Sequence, residues 1–385
     1  MLCAKLSSVR LSAAYLALLL LIGGCTSVSN GTQGAGQKEQ VAPVPAQAKE
    51  VAPDAFDERD AEKLPTKKLM PAPTEIRGVN LLQTKEVSLN NDLSDESFAA
   101  LANTGANTVA LVPFMHQAGF DAMKVELGRA VTDKELIAGI RRAHAAGLKV
   151  ILKPQILVDN SWAGLIDHKS ADEWREWFSS YTTILLHYAK MAQVEEVEGF
   201  VVGTELKKSD KQPYWRDVIA SVRRVYKGEL TYAAHNLDGV KGFAHWDLLD
   251  FIGVTLYPPL GDSPKRSLMQ AEINSVVAEI ESVHARFNKD ILVTEIGLPS
   301  AAGAQLTPWQ LPLERTSVAD AELQAEVLDL WLGVLHQPWI RGVLVWNWHS
   351  DPYAGGRFNT DFTVQNKPAQ AVLKCHWVSG CTTGN

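Results

Sequence analysis

Cysteine is scarce in this chain, with four at positions 3, 25, 375 and 381 among 385 residues. None belongs to a metal-type C-x-x-C pair, so none is given a catalytic role. Positive charge is thin as well. The formal net charge is -7, and no basic run persists beyond the first residues. Nucleic acid is therefore not expected as a partner, because neutralising phosphates needs clustered Lys and Arg. The most apolar stretch, 11–22, is too short to span a bilayer comfortably. No G-x-G-x-x-G follows the first strand-like run, and a doubly wound open sheet usually carries one there. That run also lacks the His-x-His a barrel metallohydrolase would want, so neither metal nor cofactor is expected. What is plentiful is tryptophan, with eleven residues, and apolar side chains at 46%, ample for one large core. Trp faces stack on sugar rings, but they also fill cores, and composition does not separate the two.

The first residues read as a targeting segment. Lys5 and Arg10 supply positive charge, and 11–22 supplies a short apolar core. Ile22-Gly23-Gly24-Cys25 follows, and it resembles a bacterial lipobox. The expectation is a signal peptide over 1–24, cut before Cys25, with lipid on that cysteine. The alternative is an ordinary secretory signal in which Cys25 is incidental. Thr26 stands where Asp often marks inner-membrane retention, which favours the outer membrane, facing periplasm or surface. Residues 25–74, rich in Gly, Ser, Gln, Ala and Pro without apolar periodicity, read as a disordered tether from the lipid anchor. At the far end, Cys375 and Cys381 suit a disulfide in an oxidising compartment, or else two free thiols, within a tail over 375–385.

Between these ends, eight short β-rich runs alternate with helical patterns: 76–82, 107–112, 148–155, 199–205, 230–234, 251–257, 291–295 and 343–348. Most are nearly continuous apolar runs, which suits parallel strands covered on both faces. Thr132-Asp133-Lys134-Glu135 and Ser170-Ala171-Asp172-Glu173 are capping boxes that open helices. The predicted fold is a single (β/α)8 TIM barrel over 75–374.

In such barrels the active site lies where the strands end. The first run ends near Asn80. The second leads to His116, the third to Lys153 and Gln155, and the fourth to Glu205. The fifth ends in His235-Asn236, the sixth in Tyr257, the seventh in Glu295 and the eighth in Trp346-Asn347-Trp348. Two carboxylates thus enter one mouth from the fourth and seventh strands. Glycoside hydrolysis needs two, one to protonate the leaving oxygen and one to attack or to activate water. The plainer alternative is that each Glu only salt-bridges at the rim. An acid must stay protonated, so Glu205 is expected in an apolar or anionic setting, and an ionised Glu295 is expected among donors. Tyr257 is a candidate donor to Glu295, and Trp346 a candidate platform under the sugar. Trp348 faces the same side only if no bulge intervenes. Asn80, Lys153, Gln155, His235 and Asn236 are candidates for binding substrate. Lys153 could instead pair with a carboxylate, since a buried Lys is costly alone. His116 and Trp162 could line the cleft from loops.

Several segments carry a family resemblance: Val150-Ile151-Leu152-Lys153-Pro154, Val202-Gly203-Thr204-Glu205-Leu206, Asp250-Phe251-Ile252-Gly253-Val254, Val293-Thr294-Glu295-Ile296-Gly297 and Gly342-Val343-Leu344-Val345-Trp346-Asn347-Trp348. In this order they resemble the clan of retaining glycosidases with the acid/base on strand four and the nucleophile on strand seven. More narrowly, the chain resembles glycoside hydrolase family 113 and its TIM-barrel relatives, whose described activity is endo-β-mannanase. The likeness spans most of 75–373. It implies that Glu205 is the acid/base and Glu295 the nucleophile, and that the substrate is a β-linked polysaccharide or oligosaccharide. Two positions depart from the pattern. Thr204 stands where the wider clan usually has Asn, and Gln155 where family relatives often have His. A different reading is a catalytically silent glycan-binding lipoprotein that uses the same cleft.

Overall fold

A computed structural model describes residues 75–311 and 318–379. The eight parallel barrel strands, interleaved with a small second sheet, are numbered here in chain order. They are β1 (Ile76–Leu82), β2 (Thr108–Leu111), β5 (Lys149–Leu152), β7 (Gly199–Thr204), β8 (Glu229–His235), β9 (Ile252–Leu256), β10 (Ile291–Ile296) and β11 (Ile340–His349). Their order β1-β11-β10-β9-β8-β7-β5-β2 closes on itself. The second sheet joins β3 (Phe114–Gln117), β4 (Glu126–Leu127) and β6 (Gln155–Val158).

Proline divides the two sheets. A strand that meets Pro loses a ladder donor, so β2 stops before Pro113 and β5 before Pro154. The expected third run, 148–155, is therefore two strands, and Gln155 opens the second.

The helices cover the ring. They are α1 (Leu93–Ala102), α2 (Asp133–Ala145), α3 (Ala171–Val194), α4 (Trp215–Val225), α5 (Asn236–Gly242), α6 (Arg266–Phe287), α7 (Ala321–Val334) and α8 (Pro368–Lys374). Reciprocal capping boxes open α2 at Thr132 and α3 at Ser170. Along α3, Trp174, Trp177 and Tyr181 recur at helical spacing and are buried. They belong to the large apolar layer that also takes in strand residues such as Val79, Val150 and Val202. Inside the ring a second cluster includes Ile76, Ile151, Val201, Phe251, Leu292 and Leu344, drawn from strands all round the barrel. This plug fills the lumen below the catalytic end, as the packed layers of such barrels do.

The chain past α8 continues as a helical turn, Cys375–Ser379, in which Trp377 is buried and its carbonyl accepts from Arg77 Nη1 at 3.1 Å. The packed body therefore passes the expected boundary at 374. Cys375 is disulfide-bonded. The expected partner Cys381, the lipidation candidate Cys25, the signal 1–24 and the tether 25–74 lie outside the described residues.

Candidate active site

Glu205 and Glu295 stand at the C-terminal ends of β7 and β10 and are 6% and 4% exposed. Glu205 follows the last strand residue at φ 55°, the left-handed region that non-glycine residues rarely occupy. Just before it, Gly203 makes room for a bulge in the pairing with β8. A Cβ there would lie 2.7 Å from the Trp215 ring and 2.8 Å from the Tyr232 ring.

Glu295 is held by donors. Gln155 Nε2 donates to its Oε1 at 3.0 Å, and the Tyr257 hydroxyl donates to its Oε2 at 2.9 Å. Lys153 Nζ also hydrogen-bonds Oε1. Lys153 is wholly buried and reaches Asn80 Oδ1 at 2.9 Å and the Thr294 carbonyl at 3.4 Å. A buried ammonium needs such partners. Burial pulls Lys153 below its ordinary range, against the charges of Glu295 and Glu205. Trp346 lies under this group, its ring centroid 5.4 Å from Nζ.

Glu205 has a separate set. Its Oε1 meets His235 Nδ1 at 2.8 Å and accepts from the Thr255 hydroxyl. The Trp162 ring stands edge-on to His235, with centroids 4.6 Å apart. The apolar or anionic setting expected for Glu205 is not what surrounds it. Burial raises its carboxyl, but the His235 and Thr255 hydrogen bonds and the Lys153 charge outweigh burial and hold it below the ordinary carboxylate range. Burial raises Glu295 above the ordinary range. The Glu205 charge adds to that rise, while Lys153 and Tyr257 oppose it. The two carboxyls act on each other, so the site titrates as a coupled pair.

Several expected substrate contacts are placed otherwise. Trp348 is fully buried in the outer apolar layer, and its Nε1 donates to Ser97 of α1 at 2.8 Å. The cause is a bulge. Asn80 pairs with Trp346 but Leu81 with Trp348, so alternation is broken and the two Trp residues face opposite sides. Asn80 is also fully buried. Its amide donates to the Thr294 and Leu344 carbonyls at 3.0 and 3.3 Å and its oxygen accepts from Lys153, so its polar atoms hold Lys153 to the barrel backbone. His116 sits on β3, its Nε2 3.0 Å from Asp159 Oδ1 and its Nδ1 3.9 Å from Glu126. Its contacts join strands of the second sheet and the residue after β6 rather than the two carboxylates. Lys153 and Gln155 are spent on Glu295, and Asn236 on its neighbours His235 and Tyr257. Thr255 went unremarked in the sequence. Its only signal there is one hydroxyl inside an otherwise apolar strand, Ile252–Leu256.

With this geometry in place, comparison with known proteins decides the family. The model of Glycoside Hydrolase Family 113 matches residues 82–367. The chain belongs to that family. No protein with a curated description matches it. Among solved structures, a family 113 β-1,4-mannanase complex is 27% identical with a TM-score of 0.71, over 80% of this chain and all (100%) of that one. A family 113 β-mannanase from Alicyclobacillus acidocaldarius, bound to ManMIm, is 26% identical with a TM-score of 0.71, over 79% of this chain and 97% of that one. A Ruminococcus gnavus β-glucuronidase, at 16% identity and TM-score 0.55 over 79% of this chain and 50% of that one, shares the fold alone. The family 113 chain described here is thus a glycoside hydrolase built on a (β/α)8 barrel.

Proposed function

We propose that this family 113 enzyme is a retaining β-glycosidase acting on β-mannan or a similar β-linked polymer, with Glu295 as nucleophile and Glu205 as acid/base. The observation that carries the assignment is the donor set on Glu295. Lys153, Gln155 and Tyr257 converge on one carboxylate at the end of β10 and aim it into the barrel mouth. A nucleophile needs this fixed orientation, because rate depends on a near-attack geometry. Glu205 gives its proton to the glycosidic oxygen as Glu295 bonds the anomeric carbon. It then takes a proton from the water that releases the sugar. Trp346, 9% exposed at the mouth, is the platform under the sugar at the cleavage point. Trp162 lines the cleft beside His235.

A polymeric substrate is supported by the rim. Trp309, Tyr353 and Phe358 are 53%, 73% and 85% exposed, and all lie in the loops that follow β10 and β11. Exposed aromatics on the catalytic face suit stacking on sugar rings outside the cleavage site.

The cellular setting is part of the same proposal. Cys25 carries lipid after removal of 1–24, and 25–74 tethers the barrel to the outer membrane. Among the described residues no helix is long and apolar enough to cross a membrane. The mass of the mature N-terminal peptide tests this, because an unmodified or internal Cys25 contradicts it.

The test of the activity is release of reducing ends from β-1,4-mannan, β-glucan, chitosan-like and exopolysaccharide substrates. Mannan is expected to be cleaved fastest, and Glu295→Ala to release nothing. Equal release by the variant overturns the nucleophile assignment. Binding without cleavage by the unaltered protein on every glycan would favour a silent glycan-binding lipoprotein.

A further inference from the structure

The two carboxylates are joined by a chain of hydrogen bonds that runs behind them. It starts at Glu205, whose Oε1 meets His235 Nδ1 at 2.8 Å. On the other side of the ring, His235 Nε2 lies 3.1 Å from Asn236 Nδ2. Asn236 Oδ1 in turn accepts from the Tyr257 backbone N–H at 3.3 Å. The side chain of that same Tyr257 donates to Glu295 at 2.9 Å.

Donor and acceptor logic orients every link. A backbone N–H only donates, so the Asn236 atom facing Tyr257 is the amide oxygen. The NH₂ group therefore faces the imidazole, and NH₂ also only donates. His235 Nε2 must then present its lone pair, and in neutral imidazole the ring proton sits on Nδ1. Asn236 itself is held at φ 51°, a left-handed conformation that Asn tolerates better than most residues. The Trp162 ring packs against the imidazole at an interplanar angle of 60°.

We propose that Asn236 locks His235 in its Nδ1–H tautomer and so makes His235 a fixed donor to Glu205 that controls the switch between its acid and base forms. This rests on the glycosidase reading above. His235 is a positioning residue and its proton never leaves the ring. When Glu205 has protonated the leaving oxygen, its new carboxylate accepts Nδ1–H. When Glu205 takes a proton from the attacking water, that bond weakens and the cycle resets. The charged groups near Glu205 are Lys153 of β5 and Glu295 of β10. His235 also acts on the Asp210 carboxyl, in the loop after β7.

The test uses two variants of the full chain with opposite expected signs. His235→Phe keeps a ring against Trp162 but removes the donor, which favours protonated Glu205. The alkaline limb of kcat/KM for mannan is expected to move up by about one pH unit or more. Asn236→Asp keeps the backbone preference and the acceptor for Tyr257. Its second oxygen faces Nε2 and demands a proton there, which favours imidazolium and ionised Glu205, so the same limb is expected to move down. Thermal melts check that both variants fold. Limbs that stay fixed, or that move together, overturn the proposal. Nitrogen NMR of isotope-labelled histidine in the unaltered protein is the second measurement, and it needs no substrate. An Nδ1–H signal for His235 is expected, and an Nε2–H signal overturns the proposal even if the enzyme cleaves mannan. If no glycan is cleaved, the glycosidase reading fails while the NMR result still decides the tautomer.

Discussion

At the residue scale, the site is a balance between burial and hydrogen bonding. Glu205 and Glu295 are similarly buried but carry different partners, and the partners separate them. Donors from β8 and β9 hold Glu205 low. The acid form of Glu205 is therefore lost as pH rises, and activity is expected to fall on the alkaline side. Glu205→Ala is expected to lower turnover of mannan by about 10²–10⁴-fold. An aryl glycoside with a good leaving group needs no proton, so its glycosylation step should largely survive. A uniform loss on both substrates would argue against the acid/base role. Lys153 acts on the opposite carboxylate. Lys153→Met leaves Glu295 buried without its cation, which is expected to destabilise the fold by about 3–5 kcal/mol. The same change raises the Glu295 carboxyl further, so the acidic limb of the rate profile should move upward. Denaturant melts and a pH profile measure the two effects, and an unchanged profile would remove Lys153 from the site. His116 and Asn80 illustrate the limit of reading residues singly. Both end or follow a strand as a ligand would, yet one is held by Asp159 and Glu126 and the other by barrel carbonyls.

At the scale of elements, β7 shows how local chemistry positions a catalytic group. The strand reads Gly199 to Thr204, all buried, and its pairing with β8 shifts between Val201 and Thr204. Gly203 occupies that shift against Trp215 and Tyr232. Gly203→Ala is expected to cost about 1–3 kcal/mol by overpacking and to lower kcat by tilting Glu205. A variant that melts and turns over like the parent would show that the bulge has slack. Behind the strand, Tyr232 donates to the buried Asp210 carboxyl at 2.6 Å. Burial raises Asp210 to about 7, against Tyr232 and His235. The folded state then binds a proton more tightly than the unfolded chain. Its contribution to stability is complete below the ordinary carboxylate range near ~4 and is lost as pH rises toward about 7. Asp210→Asn keeps an acceptor for Tyr232. It is expected to raise stability above pH ~7 by up to about 4 kcal/mol, with little effect near pH ~4. Melting temperatures of the two proteins at both pH values check the sign, and equal differences at both would refute it.

At the scale of the whole molecule, chemistry is confined to one end of the barrel. The lumen below is plugged by apolar side chains, and the exposed aromatics Trp309, Tyr353 and Phe358 all lie on loops of the catalytic face. Lys367 braces those loops. Its Nζ bonds Ser300 Oγ and Asn359 Oδ1 at 2.8 Å each and the Asp361 carbonyl at 2.9 Å. Replacing the three aromatics together with Ala is expected to raise KM for polymeric mannan by roughly threefold to tenfold, the range expected of one productive ring stack, with kcat unchanged. An unchanged KM would remove the rim from substrate binding.

Much of this organisation was legible before any coordinate. Apolar runs such as 199–205 and 291–295 suit buried parallel strands, because no alternation offers a wet face. Capping boxes at Thr132 and Ser170 mark helix starts by local hydrogen bonding alone. The end of a strand is also a local property, so Glu205 and Glu295 could be placed at one mouth from sequence order. Whatever depends on two distant segments meeting could not be read this way. Trp346 and Trp348 differ only by a bulge, and that bulge is a register relation between β1 and β11. Thr255 is one more residue in an apolar strand until β7 brings Glu205 beside it. The ionisation of the pair is likewise a tertiary property, since burial, His235 and Lys153 arrive from different strands. The sequence by itself determined a barrel with two carboxylates at its mouth, because strand periodicity and strand ends are short-range. Only the tertiary structure decided which donors face each carboxylate, because hydrogen bonds across the barrel depend on register that short-range patterns do not carry.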